Sequence, residues 1–200
     1  MTAILHISSS SDLQSSVTRE VGGAALASLK QAFPGATVIA RDLVKDPVPH
    51  VGPDFVQSRY TNPDAASLAL SRQLIDEIKA SDILLIEAPM YNFNIPSVLK
   101  AWLDHVVRGG YTFRYGPTGP EGLVKGKKAI LVLGRGGVYR EAPMKAFDYH
   151  ETYLRTILGF IGITDVESIE IEGVGMGAEV RSKALEAGKS RAAGIGAQAA

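Results

Sequence analysis

The chain of 200 residues contains no cysteine. That excludes disulfides, thiol catalysis and cysteine-ligated metals. There is no excess of either charge: 21 Lys plus Arg stand against 21 Asp plus Glu. Nothing in that balance points to a nucleic acid or to an anionic membrane surface as a partner. Apolar runs stay well short of the roughly 18 residues that a membrane-spanning helix needs. The opening "MTAILHISSSS" lacks the basic and long apolar regions of a secretory signal. The histidines, His6, His50, His105 and His150, are dispersed without a ligand spacing, so no metal site is expected. Asp104 and His105 are neighbours on a helix and face different directions, so they make no ready dyad. What is present is 46% apolar content, enough for one sizeable core. No repeat or linker divides the chain. The expectation is one domain, residues 1–200, in the cytoplasm, with a frayed tail from about 190.

Five short apolar runs read as strands: "TAILHI" (2–7), "TVIARD" (37–42), "DILLIEA" (82–88), "KAILVLG" (128–134) and "VESIEIEG" (166–173). Helical spacing lies between them, over 16–33, from Asn62-Pro63-Asp64 to Ile78, after Pro96, and over 147–161 and 178–192. Strand and helix in alternation predict a parallel α/β sheet with helices on both faces. The first, third and fourth runs are almost wholly apolar, as burial on two sides demands. The last alternates, which suits an edge. The Pro- and Gly-rich stretches 43–61 and 111–127 exceed plain turns and read as site or interface loops.

In such a sheet, ligands bind beyond the carboxyl ends of the strands. Three consecutive strand ends are unusual. The first loop, "SSSSDLQSSVTRE" (8–20), is neither G-x-G-x-x-G nor a P-loop. It offers hydroxyls and a helix start, which suit a terminal phosphate. The third, "PMYNFN" (89–94), puts amides among flat side chains where Gly or Ser would be ordinary. The fourth, "GRGGVY" (134–139), allows close backbone approach to a ligand. Taken singly, each has a plain structural reading: a Ser-capped helix, packed aromatics, a tight turn. Together they suit a ligand with a phosphate at one end and a flat heterocycle at the other, such as flavin mononucleotide.

The stretches "APMYNFNIPSVLKAWLD", "GYTFRYGPTGPEGLVKGKKA", "RGG" and "LGFIGITDV" resemble the FMN-dependent NADH:quinone oxidoreductases, or azoreductases, of the flavodoxin-like superfamily. The resemblance covers the chain from "ILHISSS" to about residue 190. It implies a doubly wound five-stranded sheet of order 2-1-3-4-5. It implies non-covalent FMN, with its phosphate held by Ser10, Ser16, Val17 and Thr18. The ring would be held by Met90, Tyr91, Asn92 and Phe93 and by Gly134, Arg135, Gly136 and Gly137. It further implies a homodimer, with Tyr115 and a second subunit's Phe160 over the substrate side. NADH or NADPH would be the donor, and quinones or azo compounds the acceptors. Two positions depart from the pattern. Gly134 stands where the family often has Ser, and Thr18 where it often has a second Ser. No catalytic side chain is expected, since the flavin carries the chemistry. Two other classes compete: a flavodoxin-type electron carrier, and a receiver or nucleotide-binding module. Carriers dock through strongly acidic surfaces, which this balanced chain lacks. Receivers need an acidic cluster after the first strand, where Ser8 to Ser11 stand.

Overall fold

The runs that are apolar on both sides form the middle of the sheet. In the computed structural model of the protein, which describes residues 1–62 and 64–199, these are β1 (Ala3–Ser8), β3 (Ile83–Pro89) and β6 (Lys128–Gly134). The edges are β2 (Thr37–Asp42) and β7 (Asp165–Ile171), so the alternating run does lie at an edge. All neighbours pair in parallel, in the order β2-β1-β3-β6-β7. With a separate hairpin set aside, this is the expected 2-1-3-4-5 order of a flavodoxin-like fold. The chain reverses its direction of winding beside β1, which opens a crevice between the ends of β1 and β3.

Successive residues of the central strands face opposite layers. Ile4, Leu85, Ile130 and Val132 pack with Val21 and Leu29 of α1 (Val17–Ala32) and Ile195 of α6 (Ala178–Ala199). Leu5, Ile7, Leu84, Ile86 and Leu131 pack on the other face. There they meet α3 (Ala69–Ala80), α4 (Ser97–Val106) and α5 (Tyr149–Ile161). Trp102 of α4 is fully buried there, a core residue.

The stretches 43–61 and 111–127 contain regular structure: α2 (Pro53–Thr61) and an antiparallel hairpin, β4 (Phe113–Gly116) with β5 (Gly119–Gly122). The helix start expected at Asn62-Pro63-Asp64 involves Pro63, which lies outside the described residues. The described helix α3 begins at Ala69, after a short 3-10 turn over Ala66–Leu68. Where a frayed tail from about 190 is expected, α6 runs to Ala199 and packs along α1. Ala192 and Ile195 are buried, and Ser28 Oγ donates to the Ala193 carbonyl and accepts from Gly196 N. Among the described residues, no helix is long and apolar enough to cross a membrane.

Candidate functional site

The first loop ends in a capped helix start. Ser16 holds an extended conformation and its Oγ accepts from Arg19 N at 3.3 Å. Its Oγ also lies 3.0 Å from Thr18 Oγ1. The N–H groups of Val17 and Thr18 have no acceptor among the described residues, as the first turn of a helix requires. Ser10 is buried beside them. Arg19, which sequence reasoning missed, shapes this loop. Its guanidinium donates to the Ser10 carbonyl at 2.8 and 3.2 Å and forks onto Asp42 at 2.8 and 2.9 Å. The hydrogen bonds from Arg19 hold the Asp42 carboxyl down at about 2. Asp12 organises the exposed part, accepting from Gln14 N and Ser15 N.

The third loop is a strained turn. Tyr91 and Asn94 exchange backbone hydrogen bonds of 2.9 and 3.1 Å. Between them, Asn92 and Phe93 have φ of 48° and 69°. Positive φ at both central residues defines a primed hairpin turn, for which Asn-Gly is the favoured pair. Asn tolerates this region, whereas a bulky residue there costs about 1–2 kcal/mol. The Phe93 ring packs against Tyr139 and Phe147, at centroid distances of 6.3 and 5.7 Å. The turn leaves the N–H groups of Asn92 and Phe93, and the Asn92 amide, without partners among the described residues. Strain of this kind gathers where a chain holds a ligand.

The three loops touch one another. Tyr91 OH accepts from Ser11 N at 3.2 Å. Met90 N donates to the Gly134 carbonyl at 2.7 Å. Gly134 packs so tightly on the first loop that an added Cβ would lie 2.7 Å from Thr18 Cγ2. In the fourth loop, Gly136 and Gly137 have N–H groups without a partner among the described residues. Arg135 offers a ligand the least. Its N–H donates to the Ile171 carbonyl and its own carbonyl accepts from Val174 N. Its guanidinium, 1% exposed, faces Asp148, Glu151, Glu170 and Glu172.

Behind this loop His150 is fully buried, facing the Ala88 carbonyl without a hydrogen bond of good geometry from either ring nitrogen. Burial, reinforced by the Arg135 charge, pushes its pKa down to about 3, so the ring is neutral. The two residues expected over the substrate side lie on other elements. Tyr115 projects from β4 at 78% exposure, and Phe160 sits on α5. Both rings contact Phe113, at 5.6 and 4.6 Å.

Fold and site together define a doubly wound α/β protein of flavodoxin-like fold, and the pattern of that fold family matches residues 2–194. An "FMN-dependent NADH:quinone oxidoreductase" of Francisella philomiragia is 47% identical over 186 residues, covering 93% of this chain and 94% of that protein. The crystal structure of azoreductase from Bacillus anthracis superposes with a TM-score of 0.91 at 31% identity, covering 99% of this chain and 100% of the other. A second structure, an FMN-dependent NADH-azoreductase of Bacillus anthracis in complex with FMN, gives 0.85 at 25% identity, covering 98% and 100%. The chain belongs to the family of FMN-dependent NADH:quinone oxidoreductases and azoreductases.

Proposed function

We propose that the chain binds FMN non-covalently across its three touching loops and uses NADH or NADPH to reduce quinones and to cleave aromatic azo compounds to amines. One observation carries this. Three consecutive strand ends present N–H groups without partners among the described residues: Val17 and Thr18, then Asn92 and Phe93, then Gly136 and Gly137. Hydroxyls of Ser10, Ser16 and Thr18 stand at one end of this strip and flat side chains at the other. The residues fit the cofactor. The α1 start would hold its phosphate, and Met90 to Phe93 with Gly134 to Gly137 would hold its ring. Bound FMN would supply the two-electron chemistry that no side chain of this site offers. The protein's part is to bind, orient and favour negative charge with N–H donors.

The overall reaction balances. NADH gives two electrons and one proton, the medium gives a second proton, and a quinone becomes a hydroquinone. An azo bond takes two such rounds to become two amines. Donor and acceptor use one face in turn, a ping-pong order.

In this reading the chain is one FMN-binding domain that works as a homodimer in the cytoplasm. Exposed aromatics at the start of α5 and in the turn before it support the dimer. Tyr149 and Phe147 are 56% and 46% exposed, and a separate cavity of about 450 Å³ is lined by Asn92, Ile95, Lys100 and Tyr153. A second subunit would then bring Tyr115 and Phe160 to the substrate side. The test is turnover: FMN-loaded protein should oxidise NADH with a benzoquinone and bleach an azo dye. Protein that holds FMN yet turns over neither is an electron carrier instead.

A further inference from the structure

We propose that the loop after β7, Gly173 to Gly175, acts with buried Arg135 as a positioning device. It withdraws every carbonyl of residues 135–137 and leaves the Gly136 and Gly137 amides as a donor strip. The proposal rests on the flavin reading above and assigns a role to Gly173 to Gly175, which lie outside its contacts, and to the buried side chain of Arg135.

Three consecutive donors take three consecutive carbonyls. Gly173 N donates to the Gly137 carbonyl at 2.9 Å, Val174 N to Arg135 at 3.1 Å and Gly175 N to Gly136 at 2.9 Å. A free loop shows donors and acceptors in equal number. This one has its acceptors engaged and the N–H groups of Gly136 and Gly137 without partners among the described residues. A run of fixed amides without competing carbonyls favours negative charge beside it. A ring that gains charge on reduction would therefore be held more tightly reduced than oxidised.

The approach of the two loops depends on glycine. A Cβ on Gly175 would lie 3.2 Å from the Gly136 carbonyl oxygen and 3.5 Å from Gly136 Cα. Side-chain contacts would push the loops apart by a few tenths of an ångström, enough to turn the donors. Arg135 holds the same arrangement from beneath. Its guanidinium reaches Glu170 at 2.7 Å and Glu172 at 3.1 Å, at the end of β7. It also reaches Asp148 at 2.8 Å and Glu151 at 3.1 Å, at the start of α5. Glu172 accepts from Tyr139 N at 2.8 Å and so closes the far end of the loop. Arg140 and Arg155 neutralise part of the carboxylate excess, through Glu172 and Glu151. The fourth loop is thus fixed before any ligand arrives.

The test measures oxidised and reduced FMN affinity, and with them the midpoint potential, in Gly175→Ala. The expected result is little change for oxidised FMN and about tenfold weaker binding of reduced FMN. For a two-electron couple that is a shift of about 30 mV to more negative potential. Arg135→Lys, which keeps the charge and loses the fork, shifts it the same way. Gly194→Ala on α6, where a methyl would meet open space, leaves the potential in place. A further arm needs no variant: amide exchange at Gly173, Val174 and Gly175 in the FMN-loaded protein is expected to be slow. Fast exchange there overturns the proposal. So does a lowered Tm with the wild-type potential retained, which would make the loop a brace and nothing more. Wild-type protein with no affinity for FMN defeats the flavin reading itself, a result distinct from either.

Discussion

The methyl group of Thr18 fills the space where a side chain at position 134 would begin. A Cβ on Gly134 would meet Thr18 Cγ2 at 2.7 Å and Val17 Cγ2 at 3.2 Å. The two positions at which the resemblance implies a departure are therefore in one packing contact. Threonine adds a methyl on the first loop, and glycine gives up a side chain on the fourth.

This pairing predicts non-additivity. Gly134→Ser alone should destabilise the protein by about 1–3 kcal/mol through overpacking. Thr18→Ser alone should cost about 0.5–1.5 kcal/mol for a lost buried methyl. The double variant should recover at least about 1 kcal/mol of their sum, because the sites share one space. Urea unfolding of the four proteins measures the coupling, and strictly additive losses would show that the contact carries no energy.

Asn92 combines a backbone demand with a free amide. Asn92→Gly keeps the positive φ and removes only the side chain. It should leave stability within about 0.5 kcal/mol of wild type, since glycine adopts this region freely. FMN binding should weaken about tenfold, the worth of one hydrogen bond. Asn92→Ala should weaken binding likewise and lose a further 1–2 kcal/mol or so of stability to strain. Wild-type affinity in Asn92→Gly would assign the contact at this position to the backbone.

The strands were legible because burial on two faces leaves unbroken apolar runs. Helix α2 was not, since Phe55 is its one buried residue and no stripe forms. The hairpin "FRYGPTGPEG" reads as loop because Pro and Gly outweigh its aromatics. The end of α6 owes its order to α1, a contact between residues 165 positions apart at Ser28 and Ala193. The candidate site divides in the same way. Loops at three strand ends were visible as local composition. Their supports, Arg19 on Asp42 and Arg135 among four carboxylates, join distant segments. No local pattern marks them.

His150 predicts the acid response. Its folded pKa of about 3 lies below the ordinary histidine value of 6.5. A depressed folded pKa means that the unfolded chain takes up the proton first. Its stability contribution is full above pH 6.5 and is lost as pH falls towards 3. Each such proton gives a slope of about 1.4 kcal/mol per pH unit. Between pH 6 and 4.5, His150→Leu should show a shallower fall in unfolding free energy than wild type, by about that slope. Below pH 3.8, Asp42 adds its own loss, down to about 2. Identical slopes in the two proteins would place the titrating group elsewhere.

The most direct measurement of the central claim is equilibrium binding of FMN and of riboflavin to the flavin-free protein, followed by fluorescence. The loops at the ends of β1, β3 and β6 predict one FMN per chain. They predict that FMN binds at least about 100-fold more tightly than riboflavin, because the α1 start contributes charge-assisted hydrogen bonds to the phosphate alone. Equal affinity for the two, or none for either, would contradict the account.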